Sequence, residues 1–90
     1  MHLIPYGVMK EVAKVMKHGA DKYGPYNWRE KEIMFSQYYG ANARHMGAWW
    51  EREDIDPDSE LLHIFHAIAS NIVLADAILH NKVIDDRPKK

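Results

Sequence analysis

Six histidines fall within ninety residues, and a cluster of acids stands just ahead of two of them. In "EREDIDPDSELLHIFH", Glu53, Asp54, Asp56 and Asp58 lie within six residues, and His63 and His66 follow, three residues apart. That spacing puts both imidazoles on one face if the segment is helical. His45 lies upstream, on the helical face that also carries Glu53. Clustered carboxylate oxygens suit Mg²⁺ or Mn²⁺, and imidazole beside them moves the preference toward Mn²⁺, Zn²⁺ or Fe²⁺. A cation held in this way polarises phosphate oxygens and acidifies water. The candidate ligands are Glu53, Asp56, Asp58, His63 and His66, with Asp56 and His66 also candidates for proton transfer. Each also has a plainer reading. Asp56 suits a helix N-cap, Asp58 suits a helix N-terminus, and the histidines suit hydrogen-bonded core positions.

A second stretch, "HGADKYGPYNWRE" (residues 18–30), gathers aromatic rings, cations and an amide between two helical patterns. Tyr23, Tyr26 or Trp28 can stack on a nucleotide base, and Lys22 and Arg29 can pair with phosphates. Asn27 offers both a donor and an acceptor to a base edge. The same residues equally suit a tight turn held by a buried Trp and an Asn cap.

Three helical segments must position these groups. The first runs from Tyr6 to His18, with Val8, Val12, Val15 and Met16 on one stripe and a possible extension to Gly24. The second runs from Lys31 to Arg52 and places Phe35, Tyr38, Asn42, His45, Trp49 and Glu53 in one sector. Its Gly40 and Gly47 lower helix propensity and suggest close approach of a helix or ligand. The third runs from Pro57 to Asn81, with Asp56 as its N-cap. Its main face is Leu61, Phe65, Ile68, Ile72, Ala75 and Leu79, and His63, His66, Ala67, Ser70, Leu74 and Ala77 lie opposite. No segment alternates as a strand does, so the expected fold is all-α, a small bundle of three to four helices. Residues 1–90 read as a single domain whose last residues, 85–90, fray.

A net charge of −1 with mixed signs argues against a DNA or RNA partner, and the lack of cysteine excludes disulfides and thiolate metal sites. No run approaches a membrane span, and "MHLIPYG" does not read as a signal peptide, so a soluble cytoplasmic protein is expected. The hydrophobic share is 47%, a large apolar load for so small an interior, and it predicts a homo-oligomer.

The blocks "HGADKYGPYNWRE", "ANARHMGAWW" and "EDIDPDSELLHIFHAIASN" together resemble the phage dATP/dGTP diphosphohydrolase N-terminal family, from about Pro5 to Leu74. The resemblance implies a MazG-like helical pyrophosphohydrolase that uses Mg²⁺ or Mn²⁺. Such an enzyme cuts purine deoxynucleoside triphosphates between the α and β phosphates, in the cytoplasm of a bacterial host. Carried over by position, Gly19, Lys22, Tyr23, Asn27, Trp28 and Arg29 fill the first block, and Arg44 and His45 the second. Glu53, Asp56, Asp58, Ser59, His63, His66 and Asn71 fill the third. Lys22, Tyr23, Asn27, Trp28, Arg29, Arg44 and His45 are thus the expected nucleotide-binding residues. Three positions depart from the pattern: Arg52 and Glu60 stand where it has glycine, and Asp58 stands where it has glutamate. All three fall in the metal segment, so a second function is carried forward: a non-catalytic protein that sequesters a nucleotide or cyclic nucleotide signal.

Overall fold

The computed structural model describes all of residues 1–90. Three helices make up most of it: α1 (Tyr6–Tyr23), α2 (Phe35–Trp50) and α3 (His63–Leu79). A 3₁₀ turn, Asn27–Arg29, follows α1, and two short strands, β1 (Ile33–Met34) and β2 (Val83–Ile84), pair in parallel. The chain is therefore mostly helical, as expected, with a sheet that the sequence did not announce. A two-residue strand is too short to show alternation. Its register, Ile33 with Val83 and Met34 with Ile84, ties the start of α2 to the chain beyond α3. No helix is long and apolar enough to cross a membrane.

The helix boundaries differ from expectation for local reasons. α1 continues past Gly19 to Tyr23 and stops at Gly24, whose φ of 90° suits glycine and whose N–H donates to Ala20 O at 2.8 Å. α2 starts later than expected because β1 occupies Ile33–Met34. α3 starts at His63, six residues after Pro57, so Asp56 does not cap it. The intervening chain folds back on itself instead. Ile55 and Leu62 form an antiparallel bridge, Asp56 N–H donates to Leu61 O at 2.8 Å, and His63 N–H donates to Asp54 O at 2.9 Å.

Arg52 (φ 73°) and Glu60 (φ 62°) stand at the two ends of this acidic loop in left-handed backbone, the conformation glycine adopts without penalty. These are the two positions where the resembled pattern carries glycine. Neither side chain has glycine's freedom there, so the backbone is strained at each. Arg52→Gly and Glu60→Gly are each expected to stabilise the chain by about 1 kcal/mol, or roughly 4–8 °C in a domain of this size. Thermal unfolding followed by circular dichroism checks this, and unchanged melting temperatures would show the loop to be unstrained.

The core follows the small residues of α3. Val12 and Val15 of α1 pack on Ala69, and Ile33 packs on Val73 and Ala77. The buried residues of α3 are His63, Ala67, Ala69, Val73 and Ala77, whereas Ile72, Ile78 and Leu79 are exposed. The expected main face of α3 is thus only partly inside, in Leu61, Phe65 and Ile68. Alanines bring the helix axes close, so much of the bulkier apolar face turns outward. Of the tail expected to fray, Asp86 accepts hydrogen bonds from the Ser36 N–H and hydroxyl, and the Arg87 guanidinium sits 4.9 Å from the Phe35 ring centroid.

Candidate functional site

Three donors from three segments meet at one point. His45 of α2, Asp56 of the acidic loop and His63 at the start of α3 each offer a ligand atom, all within 4.8 Å of one another. His45 and His63 are buried and Asp56 is partly so. Burial of His45 follows from its α2 sector, where it continues the line of Tyr38 and Asn42 against α3. His63 is placed by the backbone bond to Asp54 that closes the loop.

The hydrogen bonds fix the proton positions. Glu53 Oε1 is 2.8 Å from His63 Nε2, and a carboxylate can only accept, so Nε2 carries the proton. His63 Nδ1 lies 2.8 Å from His45 Nδ1, so one ring donates to the other across that contact. Glu53 therefore does not join the donor group but orients one of its members, as carboxylates behind metal-binding histidines do. Asp56 Oδ2 accepts from Ser59 N–H at 3.1 Å and from the Ser59 hydroxyl at 2.9 Å. With its proton committed to Asp56, Ser59 Oγ accepts from His66 Nε2 at 2.6 Å. His66 stacks on His45, ring centroids 4.6 Å apart and 6° from parallel, and stands beside the donor group rather than in it.

Burial pushes His45 down to about 4, aided by the nearby His66, Arg44 and His63. Burial likewise lowers His66, with Asp56 opposing. Both rings are neutral at pH 7, the state that ligates a metal or accepts a proton. For Asp56, burial pushes upward, but the two Ser59 hydrogen bonds and the His66 and His45 rings hold it below the usual carboxylate range. The donor set is two imidazoles and one carboxylate, which fits a divalent cation such as Mn²⁺ and fits Mg²⁺ less well.

A cavity of about 470 Å³ opens over this group, lined by His18, Lys22, Tyr23, Arg44, Asp58 and His66 among others, with His45 and Asp56 at its wall. Asp58 stands at its exposed rim. There it accepts from Lys22 Nζ at 3.0 Å, which raises the lysine's pKa and lowers its own. The expected ligand Asp58 is thus drawn to Lys22 instead of the histidines, across a chain separation that sequence spacing does not reveal.

The aromatic loop divides. Tyr23 and Lys22 belong to the cavity, and Trp28 lines an adjoining one of about 220 Å³ that shares Val15, Gly19, Tyr23 and His66 with it. Asn27 opens the 3₁₀ turn and lines neither. Arg29 is turned away, with Nε and Nη2 donating to the two Asp76 oxygens at 2.8 and 2.9 Å. Trp28 Nε1 donates to the same carboxylate at 2.8 Å. Arg29 comes first and Trp28 second in holding Asp76 far below its ordinary pKa. The guanidinium expected to fork a phosphate clasps Asp76 in this structure, while Trp28 is only partly buried and no side chain caps the 3₁₀ turn, so the expected buried Trp and Asn cap are not found. Asp76 itself was missed, although it is the only Asp, Glu, Lys or Arg in α3 and so needs a partner. Asn71 accepts from Asn42 at 3.0 Å, outside the cavity lining.

No curated protein and no solved structure matches the chain. The family model described as dATP/dGTP diphosphohydrolase, N-terminal, matches residues 1–87, which include the acidic loop, the histidine group and the aromatic turn, and the chain belongs to that family.

Proposed function

We propose that this chain hydrolyses purine deoxynucleoside triphosphates to monophosphate and pyrophosphate, with a divalent cation held by His45, Asp56 and His63. The observation that carries the reading is the meeting of these three donors at one point, two of which, His45 and Asp56, line a cavity that also presents Lys22 and Arg44. A cation bound there supplies charge neutralisation on phosphate and acidifies water. The chain's own residues account for the rest. Lys22 and Arg44 neutralise the triphosphate, with Lys22 exchanging its Asp58 partner for a phosphate oxygen. Tyr23 and Trp28, one cavity further in, offer apolar surface to the base. Water adds to the α phosphorus, the bond to the α,β-bridging oxygen breaks, and pyrophosphate departs. The water proton passes to the free Nδ1 of neutral His66 or to a carboxylate.

Sequestration of a nucleotide without turnover is the competing function. The left-handed backbone at Arg52 and Glu60, which brackets Asp56 of the donor group, favours hydrolysis. Incubation with dATP or dGTP and Mn²⁺ or Mg²⁺, followed by separation of products, tests it. Monophosphate and pyrophosphate in equal amounts are expected. Tight binding with the triphosphate recovered intact would replace hydrolysis by sequestration. On this reading the chain works as a homo-oligomer in the cytoplasm of a phage-infected bacterium.

A further inference from the structure

Three cavities stand in series. The one over the donor group shares Val15, Gly19, Tyr23 and His66 with the inner one of about 220 Å³. The inner one in turn shares Met16, Ala20 and Trp28 with an outer one of about 480 Å³. The first and the last have no lining residue in common. Met16 and Ala20 belong to α1, so Trp28 is what the aromatic loop contributes to the partition between the inner and outer cavities.

A single carboxylate holds that indole in place. From Pro25 to Glu30, every hydrogen bond that reaches another part of the chain ends on Asp76: one from Trp28 Nε1 and two from Arg29. The others, Arg29 N–H to Tyr26 O and Glu30 N–H to Asn27 O, stay inside the loop. The loop path is not one that local preference would keep, because Tyr26 is left-handed, with a φ of 56°. Asp76 lines the outer cavity and not the inner one, so the Nε1 edge of the indole faces outward. The ring packs on the Ile33, Val73 and Ala77 cluster, and Val73 lines the inner cavity. Arg29 braces the arrangement: its guanidinium carbon lies 4.6 Å from the Tyr26 ring centroid, and that ring lies 5.5 Å from Trp28. A half-buried ring with its N–H paired keeps one orientation, whereas an unpaired one is free to swing with its loop.

We infer that the Trp28 indole, pinned by Asp76, is the end wall of the base cavity and sets the largest base this chain accepts. Asp76 is then a positioning residue that acts through the ring. The inference rests on the nucleotide reading proposed above and goes beyond it by naming what limits the substrate. With its phosphates at Lys22 and Arg44, a purine reaches the indole with the edge remote from its sugar. An unsubstituted purine stops there. A benzyl group carried on that edge meets the ring, and close-packed walls yield little to an added ring. With the indole removed, the same group extends into the outer cavity, beside Pro25, Tyr26 and Ile72.

Calorimetric titration of the full chain in Mn²⁺ tests it. The probes are α,β-methylene-dATP, whose methylene bridge resists hydrolysis, and its derivative benzylated on the exocyclic amine. The wild type is expected to bind the benzyl derivative at least about tenfold more weakly than the unsubstituted probe. Trp28→Ala, and the milder Trp28→Leu, are each expected to bind the benzyl derivative more tightly than the wild type does. Asp76→Ala is expected to narrow the discrimination in the same direction. Asp76→Asn, which keeps an oxygen for the indole N–H, is expected to restore it. Equal weakening of both probes by Asp76→Ala overturns the positioning role, because a merely structural residue would act on both alike. Equal binding of the two probes by the wild type, or unchanged discrimination in Trp28→Leu, overturns the wall even if Trp28→Ala fails to fold. A wild-type chain that binds neither probe removes the nucleotide reading and this inference with it. One that hydrolyses dATP yet binds both probes alike removes only the wall.

Discussion

Replacing Asp56 with asparagine is expected to lower hydrolysis of dATP or dGTP at least about a hundredfold while leaving the helical circular dichroism unchanged. The substitution removes the only negative charge in the His45, Asp56, His63 group. It keeps an oxygen able to accept from the Ser59 N–H and hydroxyl, the bonds that hold the turn of the acidic loop. Fold and chemistry are thereby separated. Glu53→Ala provides the graded comparison, because the Glu53 carboxylate hydrogen-bonds His63 and sets which of its nitrogens bears the proton. Loss of such an orienting carboxylate costs about 10–100-fold in metal affinity, so Asp56→Asn must exceed that range. Isothermal titration with Mn²⁺ and turnover measurements rank the two variants. Wild-type turnover in Asp56→Asn, or a larger loss in Glu53→Ala, would remove Asp56 from the centre of the site.

Acid is expected to weaken the metal-free chain well before its carboxylates protonate. His45 is pushed down to about 4 in the folded state by burial, whereas the unfolded side chain titrates near the ordinary 6.5. Below pH 6.5 the unfolded chain therefore binds a proton that the folded chain refuses. Stability falls from that pH down to about 4, where the folded ring also titrates. The loss amounts to about 3 kcal/mol at 1.36 kcal/mol per pH unit. His66, lowered in the same direction, adds to it. Asp56 acts later: its depressed pKa contributes stability above the ordinary 3.8, and this is lost as pH falls through the folded value. Against a typical domain stability of 5–15 kcal/mol, the histidine contribution alone moves a urea midpoint visibly between pH 7 and pH 4.5 in chelator. His45→Gln, which retains an N–H for His63 Nδ1, should flatten that dependence. An unchanged pH slope in the variant would assign the acid sensitivity elsewhere.

Helix type, helix number and the identity of the chemical groups were legible in the sequence because they depend on local periodicity and residue type. Val8, Val12, Val15 and Met16 could form only one stripe on α1, and two histidines three apart in α3 could only share a helical face. Contacts across long stretches of chain were not legible, because they depend on where segments return. Asp58 meets Lys22 across 36 positions, Arg29 meets Asp76 across 47, and β1 meets β2 across 50.

The same distinction explains the largest corrections at the site. Asp56-Pro57 looks like a helix start to any local rule, yet the Ile55–Leu62 bridge delays the helix to His63 and turns Asp56 toward the histidines. His45, expected to touch nucleotide, stands in the group of three donors that could hold a cation because α2 crosses α3 at that residue. The residues by themselves determined a helical chain carrying imidazoles, carboxylates, aromatic rings and cations. Only the tertiary structure decided which of them share a cavity, because a single ligand atom must lie within a few ångströms of its fellows and no sequence spacing sets that distance across three separate segments.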